Sequence, residues 1–369
     1  MIEKGKISAF QMAIMMYPTI IATAIISLPT IMATNAGRDL WLSPIVASLL
    51  GILMTFTAYQ LNKLYPKTSI VGSSGQILGR FPGTIVGFIF FFVYAHDNGF
   101  VIRQYGEFIV SAFLPETPLL VVVSSMVLVC AFAVRGGVEV LARCAQMFVP
   151  IMIVILLLIY ILIIPDLKPS HMFPIMEKGI KPSLIGSFFA QGWFVEFIDV
   201  SFLLPFVTDR EKGAKWAMIA VITVMLTMVI TSLVALFLLG PIIDSFNYPV
   251  MNAARYVSLA DFVEHMESLL MAFWVLGVFV KNSVYYYLLI LITSEWLNLS
   301  DYRPIVFPLG FLLVPITMWV FPNLQEMSHF FNTSGMFYIV SIKGIIPILL
   351  LILAFARKKN RTRKEERQA

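Results

Sequence analysis

The chain has 369 residues, 59% of them hydrophobic and 13% charged, and a formal net charge of +5. Soluble proteins carry charge on about a quarter of their residues. This composition, with a mean hydropathy of +0.88, excludes a soluble protein and specifies a polytopic membrane protein. Nor does the positive balance imply nucleic-acid binding. Its source is the block Arg357-Lys358-Lys359-Asn360-Arg361-Thr362-Arg363-Lys364 after the last apolar stretch, which reads as a cytoplasmic anchor near anionic lipid.

Apolar stretches of about 20 residues can cross a bilayer as helix. In chain order they are predicted at 9–35, 41–64, 81–112, 118–134, 144–164, 183–207, 214–240, 268–297, 304–321 and 334–356. Helix is required because open sheet edges leave backbone groups unsatisfied in lipid. Pro66, Pro82, Pro118, Pro165 and Pro322 punctuate their ends. The first stretch is too long, and too interrupted by proline, for a cleavable signal. If the first residues are cytoplasmic, that side holds eighteen Lys and Arg against five, the five being Arg38, Lys168, Lys178, Lys181 and Arg255. The positive-inside rule then puts both termini in the cytoplasm. Five spans followed by five give halves of opposite topology. The expected organisation is a single transmembrane domain, 1–369: repeat one 9–164, an outer loop 165–182, repeat two 183–356 and a basic tail 357–369. Loops 165–182 and 241–267 are predicted to carry short interfacial helices over an outer vestibule.

Each half opens on an apolar segment interrupted by small or polar residues and proline. The first copy is Tyr17–Pro29, with Thr19 and Ala22-Thr23-Ala24-Ile25 inside it; the second is Gly192–Pro205, with Phe194, Glu196 and Asp199. Paired broken spans point to a binding site at the membrane midplane, so both spans are expected to unwind there.

Ionisable groups inside spans are costly and mark functional candidates. Span three carries Tyr94, His96, Asp97, Asn98, Arg103 and Glu107; Arg103 and Glu107 have ion-pair spacing on a helix. Asp97 lies near mid-depth, and Tyr94 is one turn away. In span six, Glu196 and Asp199 could each receive an ammonium or a proton, and Asp199 could cap a second half-helix. Span eight carries Lys281, which should face Asp97, Glu196 or Asp199 and could take the place of a coupling sodium ion. Tyr285 shares its stripe, while Ser283 and Tyr287 lie on the adjacent face. Lys343, beside Ser341 and Gly344 in span ten, is expected to reach an interface or lipid headgroup.

The two cysteines, Cys130 and Cys144, make no disulfide framework, and no metal, cofactor or haem spacing is present. His96, His171, His265 and His329 form no ligand set, and phosphate loops and nucleophile elbows are absent. No catalytic residue and no enzyme activity are expected.

The break leading to Leu28-Pro29, the run Asn35-Ala36-Gly37-Arg38-Asp39-Leu40-Trp41-Leu42 and the Leu204-Pro205 end of span six resemble the spore germination protein family. The likeness is to the permease-like B subunit of germinant receptors, a branch of the amino acid–polyamine–organocation superfamily. It covers essentially the whole chain. It implies an all-α, leucine-transporter-like five-plus-five inverted repeat with ten transmembrane helices, of which one and six are broken. It also implies a germinant pocket between spans one, three, six and eight, drawing on Ala22 to Ile25, Asp97, Asn98, Phe194 to Asp199 and Lys281 to Tyr285. Residence in the inner membrane of an endospore follows, with a membrane-anchored A subunit and a lipoprotein C subunit as partners. The chain departs from the superfamily in having Ala22 and Ala24 where glycines are usual. Two functions fit: a sensor of a small nutrient, or a proton-coupled secondary amino-acid transporter.

Overall fold

The computed structural model describes residues 3–66, 68–246, 248–256 and 266–366. Part of the predicted outer loop 241–267 and the end of the basic tail lie outside the described residues. The long helices are α1 (Ala9–Ala36), α2 (Ser43–Leu64), a short α3 (Ile70–Leu78), α4 (Arg80–Ala112), α5 (Leu119–Arg135) and α6 (Val138–Ile163). The second half begins with α7 (Lys181–Phe194), followed by a 3₁₀ segment Val195–Asp199 and the single turn α8 (Val200–Leu203). Then come α9 (Gly213–Leu239), α10 (Pro249–Tyr256), α11 (Met266–Trp296) and α12 (Val306–Val320). A last interrupted rod comprises α13 (Leu324–Phe330), a π-helical turn Phe331–Gly335, α14 (Met336–Ile339), a second π-helical turn Val340–Ile345 and α15 (Ile346–Glu366). Among the described residues no strand forms, and the one isolated bridge joins Ile7 to Val207.

Among the described residues, eight stretches are long and apolar enough to cross a membrane. The first of them, Ala9–Leu64, contains both α1 and α2; the apolar α5, 17 residues long, is shorter than any of them. The ten predicted spans map onto these segments, with eight as the number that length and composition alone establish. Short helical segments lie in the two loops predicted to carry them, the 3₁₀ segments Pro169–Met172 and Gly240–Ser245 and the helix α10.

Packing sorts the helices into two groups. In one, α1 and α2 each pack on α7 and α9; in the other, α4, α5 and α11 pack on one another and α12 packs on α4 and α5. The first two spans of each half therefore make one group and the next two make the other. The groups also meet directly, α1 packing on α11, and helix α6 packs on both of these; α15 lies against α2 and α3. One end of the bundle, the strap face, carries residues 3–8 and the α2–α3 turn. The opposite loop face carries the 37–42 and 165–180 connections.

The predicted break in span one is corrected: α1 is helical throughout, with Pro18 and Pro29 inside it. Alanine, the strongest helix former, stands where an unwound segment would need glycine. Side chains also tie to backbone carbonyls of the same stretch. Thr19 Oγ1 donates to Met15 O at 2.7 Å, Ser27 Oγ to Thr23 O at 3.4 Å, and the Trp274 indole N–H to Ala22 O. Span six does depart from α-helix, over the 3₁₀ segment Val195–Asp199. Asp199 makes no side-chain cap to the turn that follows, contrary to its expected role.

Helices α3 and α4 meet almost backbone to backbone. A Cβ on Gly83 would lie 2.5 Å from Gly75 Cα, whereas one on Gly75 meets nothing within 4 Å. Gly83→Ala should therefore destabilise by about 1–3 kcal/mol, as overpacked sites do, and Gly75→Ala should leave the melting temperature unchanged. Equal melting temperatures for both variants would show that this contact does not constrain the hairpin.

Candidate functional site

Helices α1, α4 and α11, the 3₁₀ turn after α7 and the last rod converge on a buried charge cluster. Lys281 Nζ on α11 reaches Glu196 Oε2 at 3.0 Å and Oε1 at 3.2 Å, and donates to Thr23 Oγ1 on α1 at 2.9 Å. Trp193 Nε1 donates to the same Thr23 oxygen at 3.0 Å. Lys281 is 1% exposed and Glu196 8%, so water is largely excluded from this pair. A second pair lies alongside. Lys343 Nζ stands 2.7 Å from Asp97 Oδ2, and 4.3 Å and 4.5 Å from the ring centroids of Tyr94 and Tyr285. Tyr94 donates its hydroxyl proton to Asp199 Oδ1. The buried Asp199 Oδ2 and Asn98 Oδ1 have no hydrogen-bond partner among the described residues. The local chemistry is thus three carboxylates against two ammonium groups, bridged by tyrosines, at a depth where unpaired charge is expensive.

A small cavity of about 20 Å³ lies against these groups, lined by Thr23, Asp97, Trp193, Glu196, Lys281 and Tyr285 among others. That is room for about one water molecule. Toward the loop face, a cavity of about 90 Å³ is lined by Ser27, Thr30, Gln104 and Tyr248. Phe100 and Phe331 line both, and their ring centroids are 4.3 Å apart. Toward the strap face, a cavity of about 340 Å³ is lined by Phe202, Phe206, Ser294 and Glu295. Phe202 packs edge-on to Tyr94 at 5.6 Å. Aromatic layers therefore separate the charge cluster from both ends. A polar cavity of about 400 Å³ at the loop face, among Asn35, Arg38, Asp39 and Asp244, shares no lining residue with the central one.

Of the residues singled out in the sequence, Thr23, Asp97, Glu196, Lys281 and Tyr285 line the central cavity, with Tyr94, Asn98 and Asp199 joined to it by hydrogen bonds or unpaired oxygens. Others lie elsewhere. Thr19 is spent on its own helix. Ala22 faces Gly277, whose Cβ position is 3.0 Å from the Ala22 Cβ, and Ala24 and Ile25 are buried in packing. Phe194 faces α2, 3.0 Å from the Cβ position of Gly51. Ser283 is buried outside the cavity lining. Tyr287 is at the strap face, donating to Glu3. Arg103 and Glu107 pair at 2.7 Å, and Arg103 donates to Pro322 O at 2.9 Å, which ties α4 to the start of the last rod.

Lys343 overturns its expectation: it is 0% exposed and belongs to the cluster, not to a headgroup. Its carrier is the π-helical turn Val340–Ile345, a feature common at functional sites and invisible to α-periodicity. Trp193, Phe100 and Phe331 were also missed, because one aromatic among many apolar residues gives no signal of its own.

The all-helical apolar bundle is similar in fold to solved transporters. It resembles MHP1, a nucleobase-cation-symport-1 family transporter in a closed conformation with bromovinylhydantoin bound. The TM-score is 0.69 at 14% identity, over 94% of this chain and 78% of that one. It also resembles MhsT in complex with L-phenylalanine, with a TM-score of 0.61 at 13% identity, over 95% of this chain and 99% of that one. The class is thereby set: an integral membrane protein with the leucine-transporter-like fold. The family model described as spore germination protein matches residues 6–326, and the chain belongs to that family. Similar relatives include spore germination protein KB of Bacillus subtilis (strain 168), 23% identical over 100% of this chain and 99% of that protein. Spore germination protein XB of Bacillus anthracis is 24% identical over 95% of this chain and 97% of that protein. The family is permease-like and is not an enzyme family.

Proposed function

We propose that this chain is the B subunit of a germinant receptor, binding a small nutrient, an amino acid, at the charge cluster. The observation that carries this reading is the Lys281–Glu196–Thr23 junction, which joins α1, the 3₁₀ turn of span six and α11 beside a cavity too small for any nutrient. Binding must therefore rearrange the cluster, and the ligand shifts the equilibrium only by its differential affinity for the two arrangements. That rearrangement is the signal passed to an A subunit and a lipoprotein C subunit in the spore inner membrane. The strap face, rich in Lys and Arg, is the cytoplasmic side, with both termini there.

Purified protein should be stabilised by its germinant in a thermal-shift screen of amino acids, sugars and nucleosides. The gain is about 2.7 kcal/mol at a hundredfold excess over Kd. Spores lacking the chain should fail to germinate on the same compound. Absence of any shift, together with normal germination of null spores, rejects the reading. The second reading, proton-coupled uptake of an amino acid, is favoured by titratable groups lying between two aromatic layers. Concentrative flux into proteoliposomes driven by a pH gradient would establish it.

A further inference from the structure

The segment leading into α1 is held at an unusual number of points. Ile7 N–H donates to Phe206 O at 3.1 Å and Thr208 N–H to Ile7 O at 2.9 Å. Ala9 N–H donates to Asp209 Oδ1 at 2.7 Å. All of these anchor the strap to the chain leaving span six, within its own packing group. Glu3 reaches across. Its Oε2 accepts the hydroxyl protons of Tyr302 at 2.9 Å and Tyr287 at 3.1 Å and the N–H of Val138 at 3.3 Å. Its Oε1 accepts Gly5 N–H at 2.7 Å. Tyr287 belongs to α11, Tyr302 to the α11–α12 connection and Val138 to the first turn of α6. Gly137 makes room: at φ +86, a Cβ there would stand 2.8 Å from Glu3 Oε2. The carboxylate is 4% exposed, and neutral donors offset the cost of burying it.

We propose that Glu3 is a latch that closes the strap face, so that the chain opens the cavity beneath the charge cluster only when Glu3 leaves its cup. The cup sits on that cavity's wall: Phe206, bonded to Ile7, lines the cavity and packs on Tyr287 at 6.5 Å. If the two helix groups separate at this end, the bonds from Glu3 to Tyr287 and Tyr302 must break, while those from Ile7 and Ala9 travel with their own group. Burial pushes the Glu3 carboxyl up, but the donors from Gly5, Tyr302, Val138 and Tyr287 outweigh it and hold the group below the usual glutamate range. A depressed folded value means that the latch's stabilisation is present above the unfolded value and is lost as pH falls through the folded one. The other ionisable groups around the cup are Glu139, which accepts Lys6 N–H, and Arg303, stacked on Tyr302.

The test is alkylation of the full chain carrying Ser294→Cys, a buried position in that cavity, with Cys130, also buried, as internal reference. Adding Glu3→Gln should speed labelling of the introduced thiol by about tenfold or more, as expected for losing hydrogen bonds to a charged group, with Cys130 unchanged. Tyr287→Phe with Tyr302→Phe should do the same, and serves if the Glu3 variant does not fold. Unchanged labelling at 294, or a parallel rise at Cys130, overturns the latch.

Discussion

Lys281→Met is expected to cost about 3–5 kcal/mol of stability, the usual loss when one member of a buried ion pair is removed, and to abolish the response to germinant. Glu196 would be left without the ammonium 3.0 Å away, and Thr23 would lose one of its donors. Glu196→Gln alone should cost a similar amount. Combining the two leaves neither charge, and stability should return most of the way toward wild type, because a neutral pair carries no desolvation debt. Ligand response should not return. Denaturation of the purified variants, read as a double-mutant cycle beside the thermal-shift screen, separates these effects. Wild-type dose–response in both single variants would remove the pair from the site.

Lys343→Met should be at least as damaging. Lys343 pairs with Asp97 at 2.7 Å and also faces Asp199 and Glu196, so its loss leaves several carboxylates with less compensation. Two cation–π contacts disappear as well, each worth about 2 kcal/mol when desolvated. Adding Asp97→Asn should recover part of the stability and no more, because Asp199 keeps its charge and its unpaired oxygen. Full recovery would mean that Lys343 serves Asp97 alone. A melt indistinguishable from wild type would place Lys343 outside the cluster's energetics.

The fold was legible because bilayer thickness sets helix length. Predicted spans 9–35, 41–64 and 81–112 meet α1, α2 and α4 within about two residues, the usual spread in helix ends. The cost of intramembrane charge likewise picked out Asp97, Glu196 and Lys281 without any alignment. The same rule applied to Lys343 was set aside because small neighbours, Ser341 and Gly344, suggested an escape to the surface. What decided its place was the extra residue in the π-helical turn, which no hydropathy pattern records. The unwinding expected in α1 was misread for another reason. Two prolines around small residues look like a break, but each removes only one i→i−4 bond, and alanine and the packed neighbours keep the rest of the helix. Glu3 lay outside every apolar stretch, where a carboxylate reads as solvated; its burial depends on Gly137, Tyr287 and Tyr302, which are far away in sequence.

The two π-helical turns in the last rod have a consequence for length variation. A π-helical turn holds about one residue more than the α-helical turn it replaces, so deleting one residue within Val340–Ile345 can be absorbed by a return to α-helix, leaving the flanking helices in place. Lys343 would lose the turn that carries it to Asp97. Single-residue deletions there should therefore spare the rod and cost the ion pair.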